Sequence, residues 1–250
     1  MDLGKLADKE RRSKKYAEEF FEEEWEMEGI FKTDLDVLNQ LIKKKGKILD
    51  ITMGPGRHVK YFADKGFKVW GNDFSKHMIN VAKKYVKNSS VVYTNHDMRS
   101  LSHKDNLFDN VICMGASLGS IYRSKERQRA VNEMARVTKK GGRVFIHAHN
   151  LLEISEFEDF RNLLNLIYKS MWYPKQYELG DVVYYHSRVL GKAYMHWFTP
   201  RELRNLMKKA GLKIVDEFYL QGPDQDSIMP NSLLKHIKAG GFIFVGKKRE

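Results

Sequence analysis

Two glycines, an aspartate about 20 residues after them and a second aspartate further on are the residues of this sequence whose types and spacing could do chemistry. Gly54 and Gly56 close the stretch Leu49-Asp50-Ile51-Thr52-Met53-Gly54-Pro55-Gly56, and Asp73 ends Val69-Trp70-Gly71-Asn72-Asp73. Glycines let a turn bring its backbone close to a ligand, and an acid at that later position accepts hydrogen bonds from ribose hydroxyls. The chemistry of such a set is the binding of a nucleoside. Asp97, just past the short apolar run Val91 to Thr94, falls on the same edge, where open α/β sheets bind their ligands.

The elements around these residues alternate. Ile48 to Ile51 is an apolar run that suits a buried parallel strand, and Val59, Phe62 and Ala63 give the following segment helical spacing up to Gly66. Phe67 to Gly71 is the next strand, and Ser75 caps a helix carrying Met78, Ile79 and Ala82. Val111 to Met114 and Val144 to Ala148 continue the pattern, with a helix from Ser124 to about Lys139 between them and the small turn Gly115 to Gly119 after the first. Before the glycine turn, a charged segment with Tyr16, Phe20, Phe21, Trp25 and Met27 reads as an amphipathic helix, and Thr33 is expected to cap a second helix.

After Ala148 the alternation breaks. Phe157, Phe160, Leu163, Leu164, Ile167 and Met171 define a helix, and aromatic-rich strands are expected around 182–186 and 193–198. This insertion, 151–198, is read as a lid or substrate wall within one domain, 1–250, that carries an N-terminal helical segment, 1–45. Thr199 and Pro200 start a further helix, and strands at 213–220 and 242–245 flank a polar loop, 221–232.

Composition sets bounds. The 250 residues carry a net charge of +12 and a 42% hydrophobic share, and no apolar run approaches the roughly 20 residues that span a bilayer. A cytoplasmic protein with no membrane partner is expected. The single cysteine, Cys113, has apolar neighbours and reads as a buried strand residue. The positive charge admits an anionic partner such as nucleic acid, yet the lysines are scattered among glutamates, as on an ion-pair-rich surface. No metal site is expected: His147 and His149 share a strand face but lack a third ligand at zinc spacing.

In order and spacing, Leu49-Asp50 with Gly54 and Gly56, then Asp73, then Asp97-Met98, then Lys139-Lys140-Gly141-Gly142 before a strand resemble the class I S-adenosylmethionine-dependent methyltransferases. Phe198-Thr199-Pro200-Arg201-Glu202-Leu203 running to Ala210-Gly211-Leu212 adds to the likeness, which covers most of 46–246. It implies an α/β fold, a doubly wound seven-stranded Rossmann-like sheet with an antiparallel last strand, and S-adenosyl-L-methionine as cofactor. By resemblance, Gly54 and Gly56 approach the amino-acid part of the cofactor, Asp73 with Phe74 beside it takes the ribose, Asp97 and Met98 bind and flank the adenine, and Gly115 borders the methyl-transfer site. Asp50 is grouped with them, or only caps its turn through backbone amides. Thr52 stands where the family keeps a glycine, and its hydroxyl is an alternative cofactor contact.

The expected reaction is in-line transfer of a methyl group to a nucleophile, mostly by positioning. Tyr122, His147, His149 and His196 are candidate bases by location only, Arg188 a candidate partner for a substrate carboxylate, and Tyr16 a loose match to an aromatic over the active site. A small-molecule acceptor is expected, because the insertion mixes its aromatics with acids and few cations. The alternatives are a methyltransferase acting on RNA such as tRNA, and a non-catalytic nucleoside-binding protein on the same fold. A nicotinamide-dependent oxidoreductase fits less well, since Val59 replaces the third glycine. Oligomeric state is not legible.

Overall fold

The strand that leads into the glycine turn, β1 (Lys47–Asp50), is central in a seven-stranded sheet of order β3-β2-β1-β4-β5-β9-β8. The computed structural model describes residues 2–11, 14, 17, 29–153, 157–187, 191–222, 224–230, 232 and 234–249. Tyr16, Phe20, Phe21, Trp25, Met27 and Arg188 lie outside the described residues.

β1 pairs in parallel with β2 (Lys68–Asn72) on one side and β4 (Phe108–Cys113) on the other, and β3 (Val91–Thr94) extends the first half beyond β2. β5 (Thr138–His149) runs parallel to β4. β8 (Leu212–Gln221) and β9 (Ala239–Lys248) close the sheet, with β9 antiparallel to both β5 and β8. The strand order reverses between β1 and β4, so a crevice opens above their carboxyl ends.

Period-two alternation divides the core. Ile48, Ile112, Phe145 and Ile243 point to one face, where they meet Val37 and Leu38 of α2 (Gly29–Leu41) and Val59 and Phe62 of α3 (Arg57–Asp64). Leu49, Val111, Val144 and Phe244 point to the other, packing with Val131 and Met134 of α5 (Ser124–Val137) and Leu203 and Met207 of α7 (Pro200–Lys209). Both faces of the parallel strands are therefore covered, as their unbroken apolar runs require.

Local signals act as the sequence predicts at two helix starts. Ser75 accepts a hydrogen bond from the Met78 amide at the head of α4 (Lys76–Tyr85), and Thr199 accepts one from the Glu202 amide with Pro200 in the first turn of α7. Thr33 does not cap: α2 begins at Gly29 and Thr33 is buried within it. After β5 come α6 (Phe157–Trp172) and an antiparallel hairpin, β6 (Asp181–Ser187) and β7 (Gly191–His196). Leu3 and Ala7 of the N-terminal helix α1 (Leu3–Arg11) pack on Tyr194 of β7, which fastens the start of the chain to the hairpin. A short helix, α8 (Lys235–Lys238), leads into β9.

Candidate functional site

Asp97, Asp73, Gly54 and Gly115 follow the carboxyl ends of β3, β2, β1 and β4, four strands that are neighbours in that order. At about 4.8 Å per strand the row is about 15 Å long. The turn after β1 closes through Met53 N to Asn72 O (3.0 Å) and Gly56 N to Met53 O (2.9 Å). Gly54 and Gly56 adopt left-handed φ values of 52° and 94°, whereas Thr52 is not among the residues of positive φ, so the position tolerates a side chain. The Thr52 hydroxyl turns toward Cys113 Sγ, at 4.0 Å. Met53 is buried, and its sulfur occupies the place beside Gly71 where a Cβ would come within 2.4 Å. Gly56 faces α4, its missing Cβ leaving room for Ala82 and Val86.

The Asp73 carboxylate accepts from Gly54 N (3.0 Å) and Ser75 N (2.8 Å), which ties the glycine turn to the end of β2. Behind it lies a residue that the sequence reading missed. Asn72 is fully buried and uses all its hydrogen-bonding capacity: Nδ2 donates to Ile51 O and His96 O, and Oδ1 accepts from the Thr94 hydroxyl and His96 N, each at 3.0 Å. It staples the three strand ends together. Asn95 does the same from outside, donating to the carbonyls of Asp73 and Phe74. Asp97 accepts from Arg99 Nε (2.9 Å) and, on its second oxygen, from the other arm of that guanidinium. Met98 is buried in the core. Gly115 is exposed with φ 59°, and nothing but Ser117 Oγ, at 3.9 Å, stands within 4 Å of its absent Cβ.

A buried polar chain lies below the row. Asp34 Oδ1 is 3.3 Å from His147 Nδ1, His147 Nε2 is 2.6 Å from Gln225 Oε1, and Gln225 Nε2 is 2.9 Å from His149 Nδ1. Assigned from this network, His147 donates through Nε2, and His149 keeps its single proton on Nε2. Burial disfavours a charge on His147, but the adjacent Asp34 carboxylate prevails and raises its pKa. His149 is pushed down to about 4 by burial and by His147. His58 is pushed down to about 3 by burial and by Arg57, whose guanidinium donates to its Nε2 at 3.0 Å, while Nδ1 faces Asp50 at 3.7 Å. Gln225 reaches its place from a left-handed backbone (φ 52°) through a slot at Gly241, where a Cβ would come within 2.1 Å of Oε1.

These two lowered histidines set an acid response. The unfolded chain protonates them near pH 6.5 while the folded protein leaves them neutral, so between pH 6.5 and about 4 the unfolded state binds more protons. Stability is expected to fall with falling pH in that window, by about 1.4 kcal/mol per pH unit for each group. His147, with its raised pKa, acts on the other side, its contribution being lost as pH rises past its folded value. Thermal melts from pH 7 to pH 5 should show a declining midpoint, and His149→Gln should flatten the decline; equal slopes would refute the neutral His149.

The hairpin carries a second network. Arg127, fully buried, donates to Ile121 O (3.1 Å) and Glu178 Oε2 (2.7 Å) and lies 3.6 Å from Glu202. His196 sits between Asp181 (2.9 Å from Nδ1) and Glu202 (3.0 Å from Nε2), and Tyr194 donates to Asp181 at 2.7 Å. Burial raises the Asp181 pKa, but His196, the Glu178 amide and Tyr194 outweigh it and hold the group below the usual range. Glu178, Asp181 and His196 have ligand atoms within 4.8 Å of one another, a spacing suited to a cation, but Arg127 already supplies the positive charge there. Of the four candidate bases, His147 and His196 are therefore buried, His196 with both ring nitrogens hydrogen-bonded and His147 with Nε2 on Gln225 and Nδ1 facing Asp34. Tyr122 donates to Gln176 O (2.9 Å), and His149 at the end of β5 is half-buried.

Beside that strand end, between α6 and the hairpin, is a cavity of about 540 Å³. Leu151, Leu163, Leu166, Tyr177, Tyr184 and Trp197 line it, with Lys169 and Lys192 at its edge. Trp197 also stands 5.8 Å from the His149 ring.

Comparison with known proteins gives concordant likenesses. The family described as "Methyltransferase domain" matches residues 48–142. A Bacillus subtilis protein named "Putative methyltransferase YqeM" is 30% identical over 116 residues, 46% of this chain and 47% of its own, so the chain spans about half the length of that relative. The ubiquinone/menaquinone biosynthesis C-methyltransferase UbiE of Burkholderia mallei is 28% identical over 189 residues, 72% of this chain and 73% of its own. Among solved structures, a SAM-dependent methyltransferase of Methanosarcina mazei shares the fold with a TM-score of 0.67 and 22% identity, over 86% of this chain and 98% of the other.

Proposed function

We propose that this chain, a member of the class I S-adenosylmethionine-dependent methyltransferases, transfers a methyl group to a nucleophile on a small organic acceptor. S-adenosyl-L-methionine, when bound, supplies a methyl made electrophilic by its sulfonium. The row of strand ends suits it: an adenosyl ligand is extended, and two carboxylates, a glycine turn and an open glycine stand in line. Asp97, a carboxylate at the end of β3, would hold the adenine. Asp73 would take the ribose, the turn at Gly54 the amino-acid end, and Gly115 would leave space for the reacting groups. Gly56 serves packing against α4, and Thr52, turned to Cys113, supports the turn from below.

The observation that carries the small-molecule reading is the cavity between α6 and the hairpin. Its 540 Å³ is within the range of small-ligand sites, and its apolar and aromatic walls also carry the polar groups of Glu153, Asn162, Asn165, Lys169, Asp181 and Lys192. The segment after the hairpin bridges directly to the end of β5, the strand next to β4, through Phe198 N to His149 O and Leu151 N to Phe198 O, both 2.9 Å. The test is transfer of label from methyl-labelled cofactor into cell extract separated into metabolites, RNA and protein. Label is expected in the metabolite fraction; label in tRNA would refute the reading. Leu166→Trp, which fills the cavity, is expected to raise the acceptor KM at least about tenfold while leaving cofactor affinity unchanged.

A further inference from the structure

The outer face of α6 is apolar and uncovered. Leu164, Ile167, Tyr168, Met171 and Trp172 recur at helical spacing along it, and Tyr173 continues the stripe past the helix end. Met171 is 70% exposed, Trp172 68% and Tyr173 53%. The inner face of the same helix contributes Leu163 and Leu166 to the cavity, together with Asn162, Asn165 and Lys169, so the outer stripe is the more apolar of its two faces. A soluble surface rarely keeps such a stripe without a partner.

We propose that the C-terminal half of α6 and the loop after it dock on an anionic membrane surface. Charge selects this occupant. Residues 160–177 contain no aspartate or glutamate and carry Arg161, Lys169 and Lys175, while the whole chain has a net charge of +12. Two copies meeting through this face would bring like charges together, whereas lipid phosphates attract them. The side-chain types agree: the tip reads Lys-Ser-Met-Trp-Tyr-Pro-Lys, lysines flanking amphipathic rings, which is the composition that settles at the headgroup level. Among the described residues no helix is long and apolar enough to cross a membrane, so the contact is peripheral. It also places the helix between the bilayer and the cavity, a short path for an acceptor that partitions into lipid.

The test is sedimentation with vesicles of phosphatidylcholine alone and with a phosphatidylglycerol fraction, which requires neither cofactor nor acceptor and so succeeds or fails apart from the methyltransferase reading. The full chain is expected to bind the anionic vesicles, to release them as salt is raised, and to lose affinity at least about tenfold in Met171→Ser/Trp172→Ser. The side chains are exposed, and a thermal melt will show that the variant folds. Lack of binding to either vesicle overturns the proposal, as does binding that the double substitution leaves unchanged. Self-association in solution abolished by the same substitutions would assign the face to a second copy instead.

Discussion

Asp73→Ala is expected to lower S-adenosylmethionine affinity about 100-fold, read by calorimetric titration. Hydrogen bonds to a charged acceptor are worth about 1.5–3 kcal/mol each, and about 2.7 kcal/mol is a factor of 100 in a dissociation constant. The carboxylate has two roles to lose. In the proposed function it takes the ribose, and it holds the Gly54 and Ser75 amides at 3.0 and 2.8 Å. Asp73→Asn separates them in part: its single amide oxygen can accept from only one of the two backbone amides, which bond to different carboxylate oxygens, so its melting temperature should fall between those of the wild type and Asp73→Ala while its affinity drops. Unchanged affinity in a folded Asp73→Ala protein would remove the central support for the assigned row.

The largest stability effect should come from Arg127→Met, at about 3–5 kcal/mol. Its guanidinium is fully buried and faces Glu178 and Glu202, with Asp181 and His196 next in the network. Methionine fills much of the volume but removes the buried guanidinium from these carboxylates, leaving Glu178 with Arg123 at 4.0 Å. For a chain of this size the melting temperature should fall by about 10 °C. A change of only a degree or two would mean that the network relaxes or takes up protons, and a pH series of the variant would show which.

The sheet was legible because its strands are apolar runs bounded by glycines and caps that act locally. Ile48 to Ile51, Ser75 and Thr199 each depend on neighbours within a few residues, and each behaves as the sequence predicts. The strand-end residues Asp73, Asp97 and Gly115 were legible for the same reason, since strand order follows from the alternation. What escaped depends on distant partners. Gln225 lies in a stretch that reads as a polar loop, and only the fold brings it to His147 and His149, 78 and 76 residues away. Arg127 looks like one more charge on a surface helix until Glu178, 51 residues later, closes over it. Asn72, beside the conspicuous Asp73, gives no periodic signal, although a polar residue ending a strand next to a glycine turn is a place to look for a staple. That Thr52 stands where the family keeps a glycine is compatible with the backbone: positive φ falls at Gly54 and Gly56, and Thr52 is outside that region.

The position of β9 has a consequence for how the chain is made. It is the last strand of the sheet in sequence, yet it lies inside, buried from Ala239 to Gly246, and is the only link between β5 and β8. During synthesis the first five strands can pair as they emerge, but the apolar edge of β5 stays open, and β8 has nowhere to add, until the ribosome has passed Lys248. Through that interval the nascent protein presents an unpaired strand edge to its neighbours, the template that aggregation uses. A premature stop only ten codons before that point would therefore leave a sheet split in two, with the slot for Gln225 missing as well.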